Sequence, residues 1–172
     1  MTERLRAVFD TNVFVSALLS RNPTSPTQEL MRRWRNEEFI LLVSQALLVE
    51  LVEKLGERGI GQDQIQELLV AINRLAEWVD APPEAVTPVV AADPDDDQIL
   101  ACAVAGGANY LITYDAHFDP LEGKHGSVQI TRAPPFLWKV RGDQPRNHGA
   151  AAVDSARALT ELDESNNGAA AR

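Results

Sequence analysis

The chain has 172 residues, 45% of them hydrophobic, enough for one domain that buries its own core. With 16 Lys and Arg against 25 Asp and Glu the net charge is −9, which excludes passive nucleic-acid binding through a basic stripe but not an enzyme that handles phosphates. A single cysteine excludes a disulfide framework and thiolate zinc chemistry. No apolar run of ~20 residues exists, and none follows the charged start MTERLR, so a cytoplasmic protein with no membrane association is expected.

In chain order, residues 7–9 read as a buried strand that delivers Asp10 at its carboxyl end, followed by a short apolar helix over 13–19. Ser25 caps a helix, with Pro26 at its first position, Gln28 closing a capping box, and Leu30, Met31 and Trp34 on its apolar face. A second strand over 39–43 ends in Ser44, which caps a helix carrying Leu47, Leu48, Leu51 and Leu55. Asp63 opens a packing helix whose apolar positions run from Ile65 to Val79. After Pro82 and Pro83 come a short strand over 86–90, an acidic loop, and a helix over 95–105 stopped by Gly106 and Gly107. A strand over 110–113, a loop with Phe118 and a strand over 128–131 complete the alternation.

That pattern predicts an α/β fold, a three-layer α/β/α sandwich around a central, mostly parallel sheet. It spans residues 1–140, and residues 141–172, polar and rich in Ala and Asn, are expected to be a flexible tail with a weak helical pattern over 150–162.

Four acids fall where strands hand over to helices or loops: Asp10 in VFDTN, Glu50 in LLVEL, Asp97 in DPDDDQILACA and Asp115 in YLITYD. An Asp after a strand often serves only as a cap or turn former. Glu50, however, lies against the apolar stripe of its helix and needs a partner or a proton, while Glu53 is the solvated neighbour. In DPDDD, Asp97 is the first-turn acid directed to the strand ends, Asp96 an accessory ligand, and Asp93 and Asp95 cap or solvent groups. Carboxylates that converge repel by roughly 4 kcal/mol per pair at 4 Å and an effective dielectric of 20, unless a cation or proton joins them. Hard oxygen ligands suit Mg²⁺ or Mn²⁺, and such ions engage phosphates. Asn12, Thr113 and Ser44 are supporting polar groups. His117, His125 and His148 lie in polar contexts and none reads as a ligand, although His117 is two residues from Asp115. Cys102 reads as a small buried hydrophobe. The basic clusters Arg32, Arg33, Arg35 and Lys139, Arg141, Arg146 are either solvated faces or phosphate contacts.

VFDTNVFVSALL, then Ser44 and Glu50, then DPDDDQILACAVAGGANYLITYD, resemble in order and spacing the PIN-domain (PilT N-terminus) ribonucleases, near the branch of toxins from bacterial toxin-antitoxin pairs. The likeness covers residues 5–138. It implies a Mg²⁺- or Mn²⁺-dependent endoribonuclease acting on RNA, a homodimer and an antitoxin protein as partner. By position, Asp10, Glu50, Asp97 and Asp115 match the four catalytic and metal-binding acids, and Asn12 and Thr113 their polar supports. Tyr114 departs from the family, which commonly has Gly or a basic residue there, and either narrows the site or stacks on a base. Two other readings are an acidic-pocket module that binds a basic partner segment without catalysis, and a DNA 5′ or flap nuclease, which the lack of an obvious DNA clamp disfavours.

Overall fold

Side chains that alternate along each strand enter two different cores. In β1 (Arg6–Phe9) Ala7 and Phe9 join one apolar cluster and Val8 the other; β2 (Ile40–Val43) and β4 (Tyr110–Ile112) repeat this, with Leu42 and Leu111 on the side of Val8. A sheet buried on both faces needs apolar residues at every position, which is why these strands read as continuous runs. The computed structural model describes residues 3–82, 88, 90 and 93–143. The strand expected over 86–90 falls mostly outside them, as does the helical pattern over 150–162.

The six-stranded sheet has the order β3-β2-β1-β4-β6-β5, with β3 (Glu77–Trp78), β6 (Val128–Thr131) and β5 (Lys124–His125) completing it. All pairings are parallel except that of β5 with β6. Helices α1 (Thr11–Leu19), α2 (Pro26–Arg35), α3 (Gln45–Glu57), α4 (Gln62–Leu75) and α6 (Ala133–Arg141) supply the first cluster, and α5 (Pro94–Ala105), with Leu47 of α3, the second. This is the expected mixed α/β architecture with helices on both faces of a mostly parallel sheet.

Local chemistry sets the boundaries. Ser25 and Ser44 cap α2 and α3 by accepting from the Gln28 and Leu47 amides. The Gln28 side chain does not close a box on Ser25; it donates to the Ala17 carbonyl at 2.6 Å, tying α2 to α1. Gly61, not a residue at 63, occupies the cap position of α4. That helix ends at Leu75 rather than reaching Val79, because Glu77 and Trp78 pair with Leu42 and Val43, and the Val79 amide donates to the Val43 carbonyl. A 3₁₀ helix, Ala116–Leu121, replaces the loop around Phe118. Helix α6 was not expected from the sequence: Pro134 and Pro135 occupy its first turn, where a missing amide costs no helical bond.

Strands β1 and β4 are neighbours, but β2 and β3 extend the sheet on one side of β1 before the chain returns to place β4 on the other. The order therefore reverses between β1 and β4, and in open α/β sheets the crevice outside the carboxyl ends at such a point binds ligands.

Candidate metal centre

Asp10 follows β1 and Asp115 lies just beyond β4, so the reversal brings them side by side; Asp96 joins from the first turn of α5. One carboxylate oxygen from each of Asp10, Asp96 and Asp115 lies within 4.8 Å of the other two. Asp10 occupies the cap position of α1 but makes no capping bond with its side chain. Its Oδ2 instead accepts from the Thr113 hydroxyl at 2.7 Å, and the Asp115 amide donates to that same hydroxyl at 3.0 Å. Asp115 accepts from the His117 amide and caps the 3₁₀ helix.

Burial raises the Asp10 carboxyl above its ordinary range, against the lowering effect of the Thr113 hydroxyl, and the Asp115 charge adds to the rise. Asp96 is pushed up to about 6, chiefly by burial, with His117 opposing and Asp10, Asp115 and Asp93 reinforcing it. Glu50 makes no ion pair among the described residues. Burial first, then the charges of Asp10, Asp95 and Asp96, lift it to about 7, with Lys54 opposing. Its response to Asp10 and Asp96 puts Glu50 within electrostatic reach of the group, although it is not among the three converging oxygens. It lines a neighbouring cavity of about 800 Å³ with Ser44, Pro94 and Gln98.

Asp97 does not join the three. It is buried, and its Oδ1 accepts from the Val90 amide at 2.7 Å. Asp96, expected as an accessory ligand, is the acid of α5 that converges with Asp10 and Asp115. Asp93 caps α5 by accepting from the Asp95 amide, and it also approaches Asp96 and His117 in a second possible ligand group. His117 is the histidine that sequence reasoning undervalued: its Nδ1 lies 3.0 Å from Asp96 Oδ2 and 3.4 Å from Asp115 Oδ1, and the bond to Asp96 raises its pKa. Its position two residues after Asp115, at the end of an Asx turn, was the available signal. Ser44 is buried and acts as a cap; it also contacts the thiol of Cys102, which burial pushes up to about 11. Arg33 and Arg141 face Glu29 on α2 rather than this group.

A family model described as PIN domain matches residues 6–117. The chain belongs to the PIN-domain family. Two solved structures resemble this PIN-domain protein: VapC20 of Mycobacterium tuberculosis, described as a Sarcin-Ricin loop cleaving toxin, and FitAcB from Neisseria gonorrhoeae. The first is 13% identical, with a TM-score of 0.48, and covers 72% of this chain and 98% of its own. The second is 16% identical, with a TM-score of 0.47, and covers 74% and 97%. No curated protein matches the chain in sequence.

The residues of this PIN-domain protein fit a hard divalent ion. Converging carboxylates whose protonation is favoured by burial and then by mutual repulsion gain most from a cation. Among the described residues, the Oδ1 of Asn12, two positions after Asp10, is buried without a hydrogen-bond partner, as an oxygen awaiting a ligand or its water would be.

Proposed function

We propose that this PIN-domain protein is a Mg²⁺- or Mn²⁺-dependent endoribonuclease that hydrolyses RNA phosphodiester bonds. In this reading Asp10, Asp96 and Asp115 hold the ion. The observation that carries it is their convergence, from two strand ends and a helix start, on one anionic notch at the reversal of strand order. A bound ion of this kind supplies an activated water and stabilises charge on the leaving oxygen. Thr113 fixes the orientation of Asp10, and Asn12 orients water beside it. Glu50, within electrostatic reach of these acids, borders the site as a fourth carboxylate. His117, on the solvent side, hydrogen-bonds Asp96 and competes with the ion for it when protonated.

Incubation with a mixed RNA pool tests this. Cleavage is expected with Mg²⁺ or Mn²⁺, lost with EDTA, and lost in Asp10→Asn with an unchanged circular-dichroism spectrum. Cleavage that survives EDTA contradicts the ion, and full cleavage by Asp10→Asn contradicts the site. A parallel DNA pool separates the RNA reading from a DNA nuclease.

The order of motifs supports a further step, a toxin role with an antitoxin partner, a homodimer and a cytoplasmic location. Growth arrest on expression, relieved by co-expression of the neighbouring gene, is the expected result; harmless expression of an active nuclease opposes it.

A further inference from the structure

Beside Asp115 the sheet edge opens into a cavity of about 510 Å³, within the size range of small-molecule sites. The Thr113 amide donates to the Thr131 carbonyl at 3.0 Å, so the chains leaving β4 and β6 run together up to the points where Tyr114 and Arg132 emerge. The Arg132 guanidinium carbon lies 5.9 Å from the centre of the Tyr114 ring. Tyr114 keeps 38% of its surface exposed, and Arg132, among the described residues, has no carboxylate within 4.0 Å. Buried Phe118 and the rings of Pro134 and Pro135 supply the apolar part of its lining, and Asp115 and Asp119 its carboxylates.

We propose that this cavity is a nucleotide subsite, in which Tyr114 stacks on a base of single-stranded RNA and Arg132 contacts an adjoining phosphate. The inference rests on the ribonuclease reading of the neighbouring acids and adds how the substrate is held. A scissile phosphate beside Asp115 places the next nucleotide over a cavity whose border is that same residue. An aromatic face with a cation above it and no carboxylate on that cation suits an unstacked base followed by a phosphate, and single-stranded segments are where RNA exposes such bases. In a chain of net charge −9, an unneutralised arginine next to an acidic notch offsets the repulsion that the RNA backbone meets there.

The test uses full-length protein and a 5′-labelled mixed-sequence single-stranded RNA of about 12 nucleotides, a length within single-strand site sizes. Anisotropy is measured without added metal in an Asp10→Asn background, which holds no ion and does not cut. Tyr114→Ala is expected to weaken binding roughly tenfold or more and Tyr114→Phe to preserve it. Arg132→Ala is expected to lower the slope of log affinity against log salt by about 0.7, one phosphate contact. In chains with Asp10 intact, Tyr114→Ala raises KM and moves the cleaved positions while kcat holds. Unchanged binding in both alanine variants, or no binding by the parent at low salt, overturns the subsite. If Tyr114→Ala leaves binding and cleaved positions unchanged while RNA is still cut, the subsite fails and the nuclease stands. If no RNA is ever cut but binding falls with Tyr114, the nuclease fails and the subsite stands.

Discussion

The hydroxyl of Thr113 receives the Asp115 amide and donates to Asp10, so one side chain sets the orientation of acids that follow two different strands. On α5 the adjacent acids differ as sharply. Asp96 faces Asp10 and Asp115, while Asp97 holds the Val90 amide. In cleavage assays Asp96→Asn should therefore lose activity by roughly a hundredfold or more, and Asp97→Asn, which keeps an oxygen for Val90, only severalfold; the reverse order would return Asp97 to the centre. Glu50 gives a pH signature. Its folded-state pKa, about 7, lies above the ordinary 4.5, so the metal-free fold has its full contribution below about 4.5 and loses it as pH rises through 7. Glu50→Gln should raise metal-free stability at pH 8 by about 1 kcal/mol, water's access to this half-buried group holding the gain to that size, and should change nothing at pH 4. Chemical denaturation at the two pH values measures this, and equal effects at both would refute the assigned burial. Asp10, Glu50 and Asp115 were legible as candidates because each interrupts an apolar run or ends a strand. The choice between Asp96 and Asp97 was not, since one helical step of 100° in a first turn is finer than apolar spacing resolves.

At the scale of elements, α6 is fastened to α2 by Glu29, which accepts from Arg141 Nε and Arg33 Nε, both at 2.8 Å. Arg141 and Arg33 hold the Glu29 carboxyl down at about 2. Because its folded-state pKa is depressed, its stabilisation is present above about 4.5 and is lost as pH falls through 2. Glu29→Gln is expected to cost roughly 1–2 kcal/mol at pH 7 and little at pH 2, read from urea midpoints; an equal loss at both would mean that packing, not charge, joins these helices. Elements with several apolar residues at regular spacing were legible, including β1, β2, β4, β6 and the helices α1 to α5. The two-residue strands β3 and β5 carry no periodicity and exist through pairing with β2 and β6. Val79 continued the helical spacing of α4, but it packs at the sheet edge beside Gly106, where an added Cβ would come within 2.8 Å of Leu42 and Val79 side-chain atoms.

For the whole molecule, the strand order turns a set of scattered acids into a site. Crossing from the β3 side of the sheet to the opposite side of β1 sets the strand ends bearing Asp10 and Asp115 next to one another, and the start of α5 lies above them. Part of the −9 is gathered at this notch, and in the proposed reading a hard cation neutralises it there. Calorimetric titration of the metal-free protein with Mn²⁺ at pH 7.5 tests this most directly. Saturable binding in the unaltered chain, abolished in Asp10→Asn and Asp96→Asn and retained in Asp97→Asn, is the predicted result; no binding, or binding indifferent to Asp10 and Asp96, would contradict it.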